Sequence, residues 1–306
     1  MMPSDTREPA FSVVVPTLGR RREVIRLLES LAGQTVQNLE VILVDQNDED
    51  ELAPLLASQS WPFPVSHLRK PKQRGASRAR NVGWRKARGS IVVFADDDCW
   101  YGPQVFEKCQ RIFDTTQADL VTGRAADASG RSINGRFEPA PLWVDRHNVW
   151  TTSIEWMIFF RRIVLEAVGG FDEFIGIGAS TPWQSGEGQD IVLRALAGGH
   201  RCFFEPSLYG FHAELPIAAS DPGIRTKARA YGRGMGFVLR KHGYGRGALA
   251  HWIIRPFGGA VVSTLTGRLS LAAYYLNVVL GRWEGWRQSP IEQARIGKFR
   301  QQTLVR

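Results

Sequence analysis

The sequence predicts an α/β protein, a mostly parallel sheet flanked by helices with a helical extension at its C-terminal end. Three observations predict it. Short β-branched runs at 11–16, 39–44 and 91–94 alternate with segments whose apolar residues recur at helical spacing. The last of these runs, Ile91-Val92-Val93-Phe94-Ala95, follows a Gly-Ser break and ends in Asp96-Asp97-Asp98. Beyond Pro222 the composition changes to basic and apolar, with no acid before Trp283.

The first strand, 11–16, is closed by Pro16. Behind it Val24, Leu27, Leu28 and Leu31 mark one face of an amphipathic helix that Gly33 is placed to end. A second strand at 39–44 runs into an acidic turn, Asp45-Gln46-Asn47-Asp48, followed by a weak helix near 50–58. Trp61-Pro62-Phe63-Pro64 breaks the chain before a third strand at 65–68. A helix over 75–87 carries Arg78, Arg80 and Arg85 and stops before Gly89. After the 91–95 strand, Pro103 suits the first turn of a helix with Val105, Phe106, Cys109, Ile112 and Phe113 on its core face. Residues 126–148 read as loop or edge structure. The apolar segment 156–160 leads to a short helix ending at Gly169-Gly170, and 171–186 is a Gly-, Ser- and Pro-rich loop. A helix at 191–196 and strands near 201–205 and 208–212 close the main domain. The expected boundaries are a disordered start at 1–10, a main domain over 11–215 with its halves meeting at 98/99, and an extension over 216–306.

The acid triplet organises this chain. Three consecutive carboxylates cannot sit in a core without counter-charge, so they belong at an open strand end. Open α/β sheets keep their ligand crevice there, and a hard cation answers the charge. The plain alternative is a solvated acidic turn.

Length and composition limit the classes. The 306 residues, 43% hydrophobic and 23% charged, describe an ordinary globular chain with room for a sizeable core. Cys99, Cys109 and Cys202 are odd in number and widely spaced, which speaks against a disulfide framework or zinc site and suits a reducing cytoplasm. Residues 1–10 contain no apolar run of the kind a signal peptide needs. The net charge is +9, yet 222–283 alone carries ten basic residues and no acid, leaving the remainder at −1.

Taken together, Val13-Val14-Val15-Pro16-Thr17, Glu40 to Asp45, Gly75-Ala76-Ser77-Arg78-Ala79-Arg80-Asn81-Val82-Gly83, Phe94 to Asp98, Gly169-Gly170-Phe171-Asp172-Glu173 and Gly186-Glu187-Gly188-Gln189-Asp190 follow one another in an order and spacing that resembles family 2 glycosyltransferases of the bacterial surface and exopolysaccharide type. The resemblance covers about 11–212 and implies a GT-A fold, a Rossmann-like sheet flanked by helices. It further implies an inverting transfer from a nucleotide-sugar donor to a glycan or lipid-linked acceptor, assisted by Mg2+ or Mn2+ that neutralises the diphosphate leaving group.

By the resemblance, Asp98 is the first choice as metal ligand, with Asp96 assisting. Asp96 or Asp97 would touch the ribose, and His212 would complete the metal shell. Asp45 would accept hydrogen bonds from the base, with Pro16 and Thr17 near the same base and ribose. Cys99 stands where a fourth acid is usual and is assigned to packing. Arg74, Arg78 and Arg80 lie at the third helix start, where cations and free N–H groups suit a diphosphate. Arg78 and Arg80 point about 200° apart, so only one can face it. The expected general base is Glu187 or Asp190. Gly188 stands where many members of the family carry an Asp, and both acids also suit simple helix capping. Trp183 would stack on an acceptor sugar or pack internally.

In 222–283 the apolar stretches 256–267 and 269–281 are each too short to span a bilayer, and Arg268 divides them. Basic residues beside such stretches suit an anionic membrane surface, here the inner face of the plasma membrane; no nucleic-acid motif accompanies them. No Gln-x-x-Arg-Trp motif of processive synthases is present, so one sugar per encounter is expected. The competing readings are a sugar-phosphate nucleotidyltransferase, whose Gly-rich signature after the first strand is missing, and a non-catalytic sugar-nucleotide or glycan-binding module.

Overall fold

The computed structural model describes residues 8–214 and 220–288. Of the expected disordered start, 1–7 lie outside the described residues, as do 216–219 and 289–306 of the expected extension. The chain divides into two compact units, 1–173 with 188–215 and 174–187 with 216–306.

The first unit is built on one mixed sheet. Its elements run β1 (Phe11–Thr17), α1 (Arg22–Ala32), β2 (Leu39–Asp45), α2 (Leu52–Ala57), β3 (Val65–Arg69), α3 (Ala76–Trp84), β4 (Ile91–Phe94), β5 (Trp100–Tyr101), α4 (Val105–Thr116), β6 (Leu120–Ala126), β7 (Leu142–Trp143), α5 (Val149–Thr152), a 3-10 turn (Glu155–Met157), β8 (Ile158–Arg161), α6 (Arg162–Val168), α7 (Glu187–Ala197, which begins at the division between the units) and β9 (Cys202–Phe211). The strand order is β3-β2-β1-β4-β8-β6-β9-β5, with β7 also on β9. The β3-β2-β1-β4 block is parallel, whereas β8 is antiparallel to both β4 and β6. β1, β2 and β4 are buried on both faces, which is why they read as continuous β-branched runs. Chain order reverses between β1 and β4, so their carboxyl ends frame the crevice of an open α/β sheet.

The sequence reading passes over β6. Its apolar run is short because Gly123 and Arg124 interrupt it, and the register against β9 shifts there. A Cβ at Gly123 would fall on the Leu208 carbonyl oxygen, so glycine is needed where the two backbones close up. The two strands expected near 201–205 and 208–212 are one continuous β9.

The second unit contains α8 (Pro222–Lys241), α9 (Arg246–Leu265) and α10 (Leu269–Arg287). Asp221 caps α8 by accepting from Gly223 N at 2.7 Å, with Pro222 in the first turn. α8 and α10 meet backbone to backbone through Gly232 and Gly236 on one helix and Gly281 and Gly285 on the other, positions where a Cβ would strike the facing main chain. Arg229 and Arg233 clamp Glu284 across this seam, and Arg282 is pulled down to about 10 by burial. Three of the ten basic residues are therefore engaged in the helix packing. Among the described residues no helix is long and apolar enough to cross a membrane.

Candidate active site

The crevice is built from the ends of β1, β2 and β4. Thr17 ends β1 and is buried; its carbonyl accepts from Gln46 N at 3.0 Å, tying β1 to the turn after β2. Pro16 lies beside Val44 in register. The following loop is strapped on both sides: Gly19 N donates to Asn47 Oδ1 at 2.7 Å and Leu18 N to Asp97 Oδ2 at 3.3 Å.

Asp45, at the end of β2, is fully buried. Its Oδ1 accepts from Asn47 N and Nδ2, both at 2.8 Å, and its Oδ2 lies 2.9 Å from His67 Nε2. Arg69 reaches both Asp45 Oδ2 (3.6 Å) and Asp50 Oδ1 (3.1 Å). Among the described residues Asp45, Asp50 and His67 are the three His or carboxylate groups whose ligand atoms converge within 4.8 Å. The Arg69 guanidinium already supplies positive charge to this knot.

The acids after β4 are arranged differently. Asp96 Oδ1 accepts from the buried Arg80 Nη2 at 2.9 Å. Burial raises the Asp96 pKa; Arg80 opposes the rise and Asp98 adds to it. Asp97 is pushed up to about 7 by burial and by its two acidic neighbours. Asp98 Oδ1 lies 3.0 Å from His212 Nε2, and its Oδ2 lies 3.0 Å from Arg20 Nη2. Burial works against the charged Asp98, but His212 and Arg20 outweigh it and hold its pKa low. The Asp98 hydrogen bond in turn raises His212. Trp156 stacks on the His212 ring at 5.9 Å.

This donor set fits a hard divalent cation. Carboxylate oxygens and one imidazole stand side by side at a strand end, three carboxylates against the two guanidiniums of Arg20 and Arg80. Mg2+ is ordinarily held by one or two carboxylates plus substrate phosphates, so a closed protein cage is not required. Asp98 and His212 would hold the ion; Asp96 is turned towards Arg80.

The arginines divide as the helical spacing demands. Arg80 points inward to Asp96 and lies over the Phe171 ring, whereas Arg78 is exposed and pairs with Glu173 at 3.2 Å. Arg74, also exposed, pairs with Asp48 at 2.8 Å and donates to the Gln46 carbonyl. Asn81 joins α3 to the Gly169-Gly170-Phe171 turn, donating to the Phe171 carbonyl and to Glu173. Arg20 escapes the sequence reading because it lies in a turn with no period of its own; the signal available was a cation on the loop after β1.

At the head of α7, Asp190 is fully buried and bonded to Arg194 Nε at 2.9 Å. Arg194 in turn donates to the Val168 and Gly170 carbonyls. This is a strut holding the α6–loop corner. Glu187 is 2% exposed. Trp183, in the second unit, is buried and stacks face to face on Phe237 at 4.8 Å.

Solved structures with this architecture include the Staphylococcus aureus TarS 1–349 complex with UDP-GlcNAc (TM-score 0.56, 18% identity, 94% of this chain and 92% of that one) and the Pyrobaculum calidifontis mannosyltransferase PcManGT with GDP-Man and Mn2+ (TM-score 0.59, 16% identity, 93% and 89%). The fold is therefore GT-A. The model of glycosyl transferase family 2 matches residues 12–163. A Haemophilus influenzae uncharacterized glycosyltransferase is 39% identical over 219 residues, 68% of this chain and 66% of its own length. The Bacillus subtilis uncharacterized glycosyltransferase YwdF is 28% identical over 53% of this chain and 62% of its own length. The match thus spans just under two thirds of these relatives. The chain belongs to glycosyltransferase family 2.

Proposed function

We propose that the chain transfers a sugar from a nucleotide-sugar donor to a hydroxyl of a bacterial surface glycan, lipid-linked or polymeric, with inversion at the anomeric carbon. The observation that carries the reading is the grouping of Asp96, Asp97, Asp98 and His212 at the end of β4, beside the β1–β4 crevice of a family 2 chain. A bound Mg2+ or Mn2+ supplies charge neutralisation to the departing diphosphate. Asp98 and His212 hold that ion, and Arg80 fixes Asp96. Thr17, Pro16 and the loop tied to Asp45 shape the base and ribose side, while Asp97 lies towards the ribose. Arg74 and Arg78 present exposed cations at the start of α3 for the diphosphate. Relatives named for surface polymers support this class of acceptor: the minor teichoic acid biosynthesis protein GgaB of Bacillus subtilis and the poly(ribitol-phosphate) β-N-acetylglucosaminyltransferase TarS of Staphylococcus aureus.

A panel of UDP- and GDP-sugars, scored for nucleotide release with Mn2+, Mg2+ or EDTA, tests this reading. Release from at least one donor that EDTA abolishes is expected. Tight donor binding without release would instead favour the non-catalytic binding module, a reading that Gly188 keeps in view.

The second unit supports attachment to an anionic membrane surface at the cytoplasmic face. Ile254, Phe257, Val262, Leu265 and Leu269 are exposed on α9 and at the start of α10, and Arg246, Arg255 and Arg268 are exposed near them. Reversing those three arginines to Glu should reduce flotation with anionic vesicles and remove its salt sensitivity. Equal binding to neutral and anionic vesicles, unaffected by salt or by those reversals, would contradict the electrostatic part.

A further inference from the structure

Gly188 lies in the first turn of α7, where glycine is a poor helix former. Its backbone does not need the left-handed region, so another reason must hold glycine there. A Cβ at 188 would lie 3.1 Å from Glu155 Cβ, 3.3 Å from its Cα and 3.2 Å from its Oε2. The space that a side chain at 188 would enter is filled by the Glu155 carboxylate.

The segment that carries that carboxylate is fastened on both sides. Glu155 opens the 3-10 turn, and Gln189 Nε2 donates to the Ser153 carbonyl at 2.8 Å, fastening the head of α7 to the same segment. The next residue, Trp156, stacks on His212, the partner of Asp98, and its carbonyl accepts from Tyr101 Oη at 2.8 Å. Glu155 is half-buried, unlike Asp190, which is sealed against Arg194. One peptide unit therefore separates Glu155 from the wall of the proposed cation site.

We propose that Glu155 is the catalytic base of the transfer, its carboxylate standing where a side chain at Gly188 would otherwise be. The inference rests on the glycosyl-transfer reading above. In the step, Glu155 takes the proton of the acceptor hydroxyl while that oxygen forms its bond to the anomeric carbon. The bond from that carbon to the phosphate oxygen breaks, and its electron pair leaves with the nucleoside diphosphate. Glu155 ends the step neutral.

The test uses the full chain with Mn2+ and whichever of UDP-GlcNAc and GDP-mannose the wild type turns over. Glu155→Gln should lower kcat by about 100-fold or more. Nucleotide affinity and thermal midpoint should stay near wild type, and the acidic limb of the kcat–pH profile should vanish. Because Glu155→Gln also alters any structural bond the carboxylate makes, relocation is the sharper arm. Glu155→Gly should be equally slow, and adding Gly188→Asp to it should recover about tenfold, since the carboxylate returns from the other side. Kinetics of Glu155→Gln within threefold of wild type would overturn the proposal. So would a fall in rate matched by lost nucleotide affinity, a relocated carboxylate that restores nothing, or a Glu187→Gln variant that is dead while Glu155→Gln is active. If the wild type releases nucleotide from neither donor under any divalent ion, the glycosyl-transfer reading falls and Glu155 as its base falls with it.

Discussion

Two acidic clusters stand at neighbouring strand ends of one sheet, and they have opposite electrostatic characters. At the end of β2, Asp45, Asp50 and His67 bring their ligand atoms within 4.8 Å of one another, yet Arg69 bridges both carboxylates and Asn47 uses Asp45 Oδ1 twice. At the end of β4, the acids are more spread, with Asp96 on Arg80 and Asp98 between His212 and Arg20. Burial, with the charges of Asp96 and Asp98 beside it, pushes Asp97 up to about 7. Proximity of ligands thus singles out the first cluster, whereas access singles out the second. A cation is better received by the partly exposed acids and imidazole at the end of β4 than by a knot whose central Asp45 is fully buried and already bridged by a guanidinium.

The largest expected contrast is in stability. Asp45→Asn removes a buried carboxylate that four groups surround, and hydrogen bonds to a charged group contribute about 1.5–3 kcal/mol each. It should therefore cost about 2–3 kcal/mol in urea unfolding without metal. Asp98→Asn, whose partners are partly exposed, should cost under about 1 kcal/mol. Equal losses would erase the distinction between a structural knot and a site.

The pH dependence sharpens the contrast by a smaller amount. His212 is raised by Asp98, so its contribution to metal-free stability is fully present below its unfolded value and is lost as pH rises through its folded pKa. Asp98 is depressed, so its contribution is present above its unfolded value and is lost as pH falls through its folded pKa. Metal-free stability should accordingly be greatest in mildly acid solution and decline above neutrality, in thermal midpoints measured with EDTA. His212→Gln should shrink the decline with rising pH, leaving the part that the raised Asp97 contributes up to about pH 7. If the decline is unchanged in the variant, the His212–Asp98 pair is not its origin.

The sequence discloses the two clusters unequally, and for physical reasons. The β1, β2 and β4 runs are legible because strands buried on both faces leave unbroken β-branched signals, and an acid triplet after such a run can only stand at an open end. β6 is hidden because Gly123 and Arg124 break its run at the place where β9 closes in. The opposed directions of Arg78 and Arg80 follow from helix geometry, but which one turns inward depends on Asp96 and Phe171, contacts distant in sequence. The motif at the head of α7 shows only that the usual Asp is missing at 188. The carboxylate filling that space comes from Glu155, 33 positions earlier, and no local pattern connects the two.

The most direct test of which acidic cluster takes the cation is Mn2+ binding by calorimetry at pH 7, in two buffers of different ionisation enthalpy, for the wild type, Asp98→Asn and Asp50→Asn. Metal ligands must be deprotonated to bind, so wild-type uptake should release about one proton, drawn from His212 and the raised Asp97. Asp98→Asn should weaken binding at least about tenfold, roughly 1.4 kcal/mol, and diminish that release. Asp50→Asn should leave both unchanged. Loss of Mn2+ binding in Asp50→Asn with Asp98→Asn unaffected would contradict the account and move the cation to the end of β2.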